Sequence, residues 1–252
     1  MGIELNLWFF VFAVPAVIFA GISKGGFGSG AAFAATPILA MVLEPSQAIV
    51  MMLPLLMVMD ATNLRPYWKK WDWPNSKVLL MGAIPGSFAG ALIFQVANPD
   101  MFRLLIGSVA LGFVAFQGAR KFGLLNIRPK PLNPVTGVFW GFVGGITSFI
   151  SHAGGPPVAV HLLSQKITKT EYQATSVIVF WLTNWMKFIL YFAMGIFTLE
   201  TAKLDLVLVP FAIIGTYLGV YAHRLVPERA FFTLTYILLI ITGTKLVFDA
   251  LT

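Results

Sequence analysis

Two glycine-rich stretches interrupt otherwise apolar sequence at corresponding places in the two halves of the chain. Residues 23–30 read Ser-Lys-Gly-Gly-Phe-Gly-Ser-Gly, and residues 144–157 begin Gly-Gly-Ile-Thr and end Gly-Gly-Pro-Pro. The two stretches lie about 124 residues apart. In membrane proteins, matched interruptions of this kind indicate discontinuous helices whose unwound backbone supplies hydrogen-bond donors at membrane depth. The pair therefore predicts two related halves that share a central site.

The rest of the chain is apolar enough to lie in a membrane. Hydrophobic residues make up 58% of the chain and charged residues 11%, whereas a soluble domain is about 45 to 50% apolar. The apolar runs suit helices of about 20 residues, and the ten-residue alternation of membrane β-strands is absent. The chain has no cysteine, which excludes disulfides, thiolate chemistry and iron–sulfur ligation. We predict an all-α integral membrane protein.

Ten apolar segments can be drawn, five in each half. They cover about 5–22, 28–43, 46–64, 77–96, 101–121, 134–150, 154–164, 172–197, 204–222 and 230–250. The second and the seventh are short and rich in Gly or Pro, so each is either a half-span paired with its predecessor or a full crossing. The sequence thus predicts eight to ten helical segments.

The loop charges predict the orientation. Basic residues gather on one side, which includes Lys24, Arg65, Lys69, Lys70, Lys166 and Lys169, and acidic residues gather on the other, which includes Glu44, Asp100, Glu200 and Asp205. The basic side is expected to be cytoplasmic, which leaves both termini outside. Because the basic residues lie in short loops between apolar segments, the net charge of +7 points to the lipid bilayer and not to nucleic acid. Residues 5–22 have no basic n-region or cleavage site and are expected to be retained.

An internal repeat supports the division into halves. The matched positions are Gly21 with Gly145, Gly30 with Gly154, Leu39 with Leu163, and the pair Gly86 and Gly90 with the pair Gly215 and Gly219. The loop charges reverse between the halves, which an odd number of crossings in each half explains. We therefore predict an inverted-topology repeat, with residues 1–122 and 134–252 as the halves and residues 123–133 as a cytoplasmic linker.

The first glycine-rich stretch is a candidate anion site. Its candidate binding residues are Ser23, Lys24, Gly25, Gly26, Gly28, Ser29 and Gly30. Glycine lets the backbone approach a ligand closely, and successive N–H groups at a helix start, strengthened by an ammonium group, bind an oxyanion. The alternative is that the glycines only allow helices to pack closely and that Lys24 is a charge at a cytoplasmic helix end.

The second stretch offers hydroxyl groups and a histidine. Its candidate binding residues are Thr147, Ser148, Ser151, His152, Gly154 and Gly155. Pro156 and Pro157 suit the N-terminus of a short returning helix. His152 is expected to contact substrate or carry a proton, whereas His161, near a helix end, favours a structural role and is also kept as a candidate pore-lining residue. The nine-residue spacing of the two histidines does not suit a metal site.

Four polar residues inside apolar segments complete the candidate set. Asp60 is a candidate coupling carboxylate, and Asn63, Asn184 and Lys187 are candidate pore-lining residues. A rise of 1.5 Å per residue places Asp60 about 20 Å below the outer face and Lys187 within about 15 Å of it, so a direct ion pair would be stretched. The alternative for all four is snorkelling or hydrogen bonding between helices.

With both motifs and the repeat in view, the chain resembles the TauE/SafE sulfite exporter family over nearly its whole length. The residues that carry the resemblance are Gly25, Gly26, Gly28, Gly30 and Pro37 in the first half and Gly141, Gly145, Gly154, Gly155 and Pro156 in the second. The resemblance implies export or import of small sulfur-containing anions such as sulfite, sulfoacetate or related organosulfonates. It also implies a multi-pass protein of the bacterial cytoplasmic membrane, without a cofactor.

These observations together predict a secondary transporter of a small sulfur-containing anion that works by alternating access, with proton coupling left open. One alternative is an intramembrane enzyme acting on a phosphate- or sulfur-bearing lipid, although no H-E-x-x-H or nucleophile motif is present. Another alternative is an anion channel, whose site would be similar but would lack coupling residues. We therefore expect a transporter and not an enzyme.

Overall fold

A computed structural model describes residues 7–27, 32–124, 131–222 and 228–252, and within these ranges it contains helices and no strands. The helices, in chain order, are α1 (Leu7–Ile22), α2 (Ala35–Leu39), α3 (Pro45–Leu64), α4 (Trp73–Val96), α5 (Pro99–Lys121), α6 (Pro134–Ser151), α7 (Gly155–Leu163), α8 (Lys169–Ala193), α9 (Leu199–Ala222) and α10 (Glu228–Leu251). A π-helical turn, Ser23–Phe27, extends α1, and a 3₁₀ turn, Ala32–Ala34, precedes α2. The predicted all-α fold is confirmed.

Eight of the described helices are long and apolar enough to cross a membrane. The other two, α2 with five residues and α7 with nine, are too short to do so. Each short helix follows a long one, α2 after α1 and α7 after α6, at the two predicted interruptions. The choice between eight and ten spans is therefore resolved in favour of eight spans and two short helices.

Polar caps and prolines fix where most of the long helices begin. The side chains of Asp72, Asn98 and Asn133 accept hydrogen bonds from backbone N–H groups in the first turns of α4, α5 and α6. A capping box between Thr168 and Glu171 opens α8. Each cap satisfies N–H groups that the helix itself leaves without partners. These local signals explain why the helix boundaries agree closely with the apolar segments of the sequence.

Close packing between helices occurs at matched positions in the two halves. A Cβ atom on Gly145 of α6 would lie 2.4 Å from the carbonyl oxygen of Ala83 in α4, and one on Gly21 of α1 would lie 2.9 Å from that of Ala212 in α9. The same two carbonyls accept hydrogen bonds of 2.8 Å from Ser87 and Thr216. Packing of α6 on α4 thus resembles packing of α1 on α9. This similarity agrees with the predicted repeat, and the inverted-topology repeat stays a prediction.

Two details of the charge map differ from expectation. Asp205, assigned to an outer loop, lies within α9 and is buried. Lys24, assigned to the basic side, is buried in the extension of α1. Within the linker predicted at 123–133, residues 125–130 lie outside the described residues. The remaining basic loop between α3 and α4 is exposed, as expected.

Candidate functional site

Lys24 and Asp60 form a buried ion pair between α1 and α3. The Lys24 Nζ atom lies 2.6 Å from Asp60 Oδ1, and the two side chains are 6% and 0% exposed. Lys24 reaches this position because α1 continues past Ile22 as a π-helical turn, a feature that often occurs at functional sites. Lys24 lies near the end of its span, and its pairing with Asp60 shows that it is not a solvent-exposed charge there.

Gly25 and Gly26 serve packing in the same turn. A Cβ atom at either position would lie 2.2 Å from a backbone carbonyl of α9, that of Thr216 or that of Gly219. Residues 23–27 end a helix, so the expected helix start with free N–H donors is wrong for this part of the motif. Ser23, in the same turn, is also buried. The remaining candidates, Gly28, Ser29 and Gly30, lie outside the described residues.

The second motif turns the chain between α6 and α7. α6 ends at Ser151, His152 adopts a left-handed backbone conformation with φ of 56°, and α7 begins at Gly155. The predicted helix start at Pro156 and Pro157 is confirmed. The turn directs the His152 side chain into the protein interior, where it is buried.

Lys187 on α8 is a second buried cation, and it meets this turn. Its Nζ atom contacts the Ser148 carbonyl oxygen at 2.8 Å, the Ser148 Oγ atom at 3.1 Å and the His152 Nδ1 atom at 2.8 Å. Three acceptors thus occupy the three donors of the ammonium group. All three are neutral, and among the described residues Lys187 forms no ion pair with a carboxylate. The Lys187 side chain is 0% exposed.

The partners of His152 determine which ring nitrogen carries the proton. The Nε2 atom lies 2.7 Å from the carbonyl oxygen of Ile49 on α3. Because a carbonyl only accepts, Nε2 donates, and Nδ1 of a neutral ring then accepts from Lys187. A doubly protonated ring would point an N–H group at the Lys187 ammonium group. In this geometry the neutral His152 ring donates to Ile49 and accepts from Lys187, while its role toward substrate or a proton stays a prediction.

Asp60 is shared between two partners. Asn184 Nδ2 donates to Asp60 Oδ2 at 2.8 Å, while Lys24 lies against the other oxygen. The sequence predicted that a direct ion pair between Asp60 and Lys187 would be stretched, and in the structure each of the two side chains contacts other partners. One turn beyond Asp60, the buried amide of Asn63 has no hydrogen-bond partner on either atom among the described residues. Such a group calls for water or a ligand.

A cavity of about 20 Å³ joins the two motifs. Its polar lining comes from Lys24, Ser148, His152, Gly155 and Asn184, and its apolar lining includes Phe33, Leu56 and Phe180. This volume suits about one water molecule. Residues from both glycine-rich stretches therefore meet at one place deep in the protein.

Four predicted residues are engaged elsewhere. The hydroxyl groups of Thr147 and Ser151 donate to carbonyls one turn back in their own helix. Gly154 allows α7 to approach α6, since a Cβ atom there would lie 2.9 Å from the Gly144 carbonyl oxygen. His161 contacts Asn75 of α4, with 2.7 Å between Nε2 and Oδ1, which favours its structural interpretation.

A second, much larger cavity of about 1050 Å³ lies among the ends of α5, α7, α8 and α10 on the side that carries the basic loops. Its lining includes Gly26 and Gln173, and Gln173 Nε2 donates to the Lys24 carbonyl oxygen at 3.0 Å. The cavity therefore extends to the backbone of the central site. Sequence reasoning missed both the cavity and Gln173, because a glutamine in the first turns of a helix resembles an ordinary polar helix end.

Comparison with known proteins gives one match. A family model described as Sulfite exporter TauE/SafE matches residues 13–246, a range that contains both glycine-rich stretches. Neither the curated proteins nor the solved structures gave a match.

Proposed function

Because the chain belongs to the sulfite exporter TauE/SafE family, as its motifs predicted, we propose that it is a secondary transporter of a small sulfur-containing anion. The family is one of membrane transporters and not of enzymes. Sulfite, sulfoacetate and related organosulfonates are the substrates we favour. The proposed location is the bacterial cytoplasmic membrane, with both termini on the periplasmic side.

The observation that carries the proposal is that two buried lysines share the central site with one carboxylate among the described residues. Two ammonium groups, those of Lys24 and Lys187, lie near a single carboxylate, that of Asp60. An uncompensated charge at membrane depth is costly and normally faces a ligand, a partner or water. A monovalent oxyanion beside Lys187 would neutralise it. A site built for a cation would have the opposite excess.

The small cavity offers further donors to such an anion. Ser148 and Asn184 line it with side-chain donors, and Gly155 places the N-terminus of α7 against it. A helix N-terminus favours negative charge. The cavity has room for about one water molecule, so binding requires it to widen, most simply by separation of the Lys187 ammonium group from the Ser148 hydroxyl.

Alternating access is the mechanism we propose. The large cavity on the basic side reaches Gly26 and Gln173, which supports a state that faces the cytoplasm. The hydrogen bond between Asp60 and Asn184 joins residues 124 positions apart, the same offset that relates the glycine-rich motifs. When two equivalent residues of a repeat pair contact each other, as Asp60 and Asn184 do, they lie close to the symmetry axis that relates the two repeats. If the two repeats exchanged their packing arrangements about that axis, the central site would open to the opposite side of the membrane.

Asp60 is the group we propose for proton coupling. A proton on Asp60 would remove its charge and release Lys24 from the ion pair, so that the ammonium group becomes free to face the anion. Anion and proton would then bind together, and neither charge would cross the membrane alone. Asn63, with its unpartnered amide one turn away, is placed to bind water or anion during this exchange.

Reconstitution into proteoliposomes tests the proposal. We expect saturable uptake of sulfite, sulfoacetate or methanesulfonate, faster when a proton gradient is imposed. Uptake of acetate and other carboxylates without any sulfur anion would overturn the substrate class. Large unsaturable currents would indicate a channel, and absence of any anion flux would overturn the assignment as a whole.

A further inference from the structure

We propose a second anion-binding site at the mouth of the large cavity, centred on the guanidinium group of Arg120. The chemical class of its ligand, a small sulfur oxyanion, rests on the proposed function. The site lies at the last turn of α5, in a cavity that neither Lys24 nor Lys187 lines.

The charge of the cavity wall favours an anion. Arg120, Lys121 and Lys169 line the cavity, and its described lining residues include no aspartate or glutamate. A cleft lined by charges of one sign concentrates ions of the opposite sign. Arg120 is partly exposed and forms no ion pair with a carboxylate among the described residues. Its charge is available to a ligand.

The neighbours of Arg120 suit oxyanion recognition. The Nη1 atom donates to Gln117 Oε1 at 3.1 Å, which orients the planar group and leaves its other N–H donors for a ligand. Tyr172 of α8 and Tyr236 of α10 line the same cavity as Arg120. A guanidinium fork with two phenol hydroxyls nearby can bind an oxyanion through several hydrogen bonds.

The position of Arg120 gives the site a role. The same cavity reaches Gly26 and Gln173, and Gln173 contacts the backbone of Lys24. An anion held at Arg120 is therefore on the route between the basic side and the central site. It raises the local anion concentration there, so we expect it to affect KM from that side more than turnover.

The stabilisation of the α5 C-terminus by a basic residue, and the binding of an anionic phospholipid headgroup, are the competing roles for Arg120. A headgroup shares the oxyanion chemistry but comes from the bilayer. The test therefore uses Arg120→Gln, Arg120→Lys, and the matched control Lys121→Gln, which removes the neighbouring charge on the same cavity. Melting temperatures of all variants establish whether each one folds.

Sulfite transport is measured in each direction in oriented proteoliposomes with and without anionic lipid, and sulfite binding to the detergent-purified protein is measured by calorimetry. We expect Arg120→Gln to raise KM about tenfold from the basic side only, as loss of a charged hydrogen bond predicts, with kcat and the opposite KM nearly unchanged. Lys121→Gln lowers the charge of the cavity wall but removes no proposed ligand contact, so it should raise the same KM by a smaller factor than Arg120→Gln. The KM of Arg120→Lys from the basic side should lie between those of the wild type and Arg120→Gln. Calorimetry should show two bound sulfite ions in the wild type and one in the Arg120→Gln variant.

An unchanged KM and unchanged sulfite stoichiometry in Arg120→Gln overturn the site, even if transport itself is normal. So does an equal effect of Lys121→Gln, which indicates diffuse charge, or an effect that occurs only with anionic lipid, which assigns Arg120 to a headgroup. If Arg120→Gln does not fold, Arg120→Lys decides the question. Binding of two sulfite ions by Arg120→Lys would then support the site, and binding of one ion would overturn it. If the wild type transports no anion, the proposed function fails, while the count of bound sulfite ions still tests Arg120.

Discussion

The ring of His152 holds the buried ammonium group of Lys187, and it does so from an unusual backbone conformation. The residue has a positive φ, and its ring bridges Ile49 of α3 and Lys187 of α8. A left-handed conformation favours glycine over other residues. The two ring contacts offset the backbone strain at a position where the backbone alone would favour glycine.

Two substitutions separate the ring from the backbone. His152→Gly and His152→Ala both remove the contact with Lys187, so we expect both to lower sulfite flux at least about tenfold, since a hydrogen bond to a charged group is worth that much. His152→Gly should be the more stable by about 1 kcal/mol, because alanine is strained at this φ. Flux and melting temperature are measured on the same preparations. Wild-type flux in His152→Gly would contradict the role of the ring.

Asp60 is the residue whose charge decides the coupling. Asp60→Asn cannot take up a proton, so we expect sulfite exchange to continue while a proton gradient no longer accelerates net uptake. Asp205→Asn is the matched control, since Asp205 is also a carboxylate buried within a spanning helix but lies outside the central site. The measurement is initial uptake with and without the gradient. Loss of the gradient effect in Asp205→Asn alone would place coupling elsewhere.

The buried charges could be identified from the sequence, but their pairing could not. A charged residue inside an apolar segment is visible in the sequence because it is costly there, and Asp60 and Lys187 stood out for that reason. Which partner each one meets depends on helix rotation and on the extra turn that carries Lys24 into the protein. Contacts with carbonyl groups, such as that between His152 and Ile49, leave no trace in residue type.

At the scale of the elements, close approach of α4 to α6 determines the framework. Glycines allow backbones to approach in membrane helices, where packing replaces the hydrophobic effect as the source of association. A Cβ atom at Gly82 would lie 2.0 Å from the carbonyl oxygen of Val138. The atoms nearest to that Cβ are backbone atoms of α6, which cannot move aside as a side chain can, so the two helices would have to separate.

Gly82→Ala should therefore destabilise the protein by about 1–3 kcal/mol or more, as overpacking does. Gly112→Ala is the matched control, because Gly112 is also helical and has nothing within 4 Å of its Cβ position. Alanine favours a helix over glycine, so the control should melt at or above the wild-type temperature. Thermal denaturation in detergent measures both. Equal melting of Gly82→Ala and wild type would contradict the close contact of α4 with α6.

Helix boundaries follow from local sequence signals, whereas the backbone conformation of the first glycine-rich stretch does not. The start of α7 was predictable from Pro156 and Pro157, because proline suits a first helical turn. The continuation of α1 through Gly25 and Gly26 was not, since glycine is a poor helix former. Contact of both residues with α9 stabilises this turn, and such tertiary contacts override local propensity.

At the scale of the whole molecule, the orientation in the membrane depends on the basic loops. The chain has no cysteine, so single cysteines can be labelled without background. We expect a membrane-impermeant maleimide to label Thr252→Cys on intact cells, because the proposed orientation places the C-terminus outside. Trp68→Cys, exposed in the basic loop after α3, should react only after permeabilisation, since basic loops stay in the cytoplasm. The reverse pattern would contradict the orientation.

The most direct test of the central site is sulfite binding to the purified protein with the uncompensated charge removed. Lys187→Met keeps the side-chain length and leaves no carboxylate unpaired, because Lys187 has no carboxylate partner among the described residues, so we expect it to fold. Its affinity for sulfite, measured by calorimetry, should fall at least about tenfold, whereas Lys203→Met, at an exposed position, should bind as the wild type does. Wild-type affinity in Lys187→Met would contradict the account.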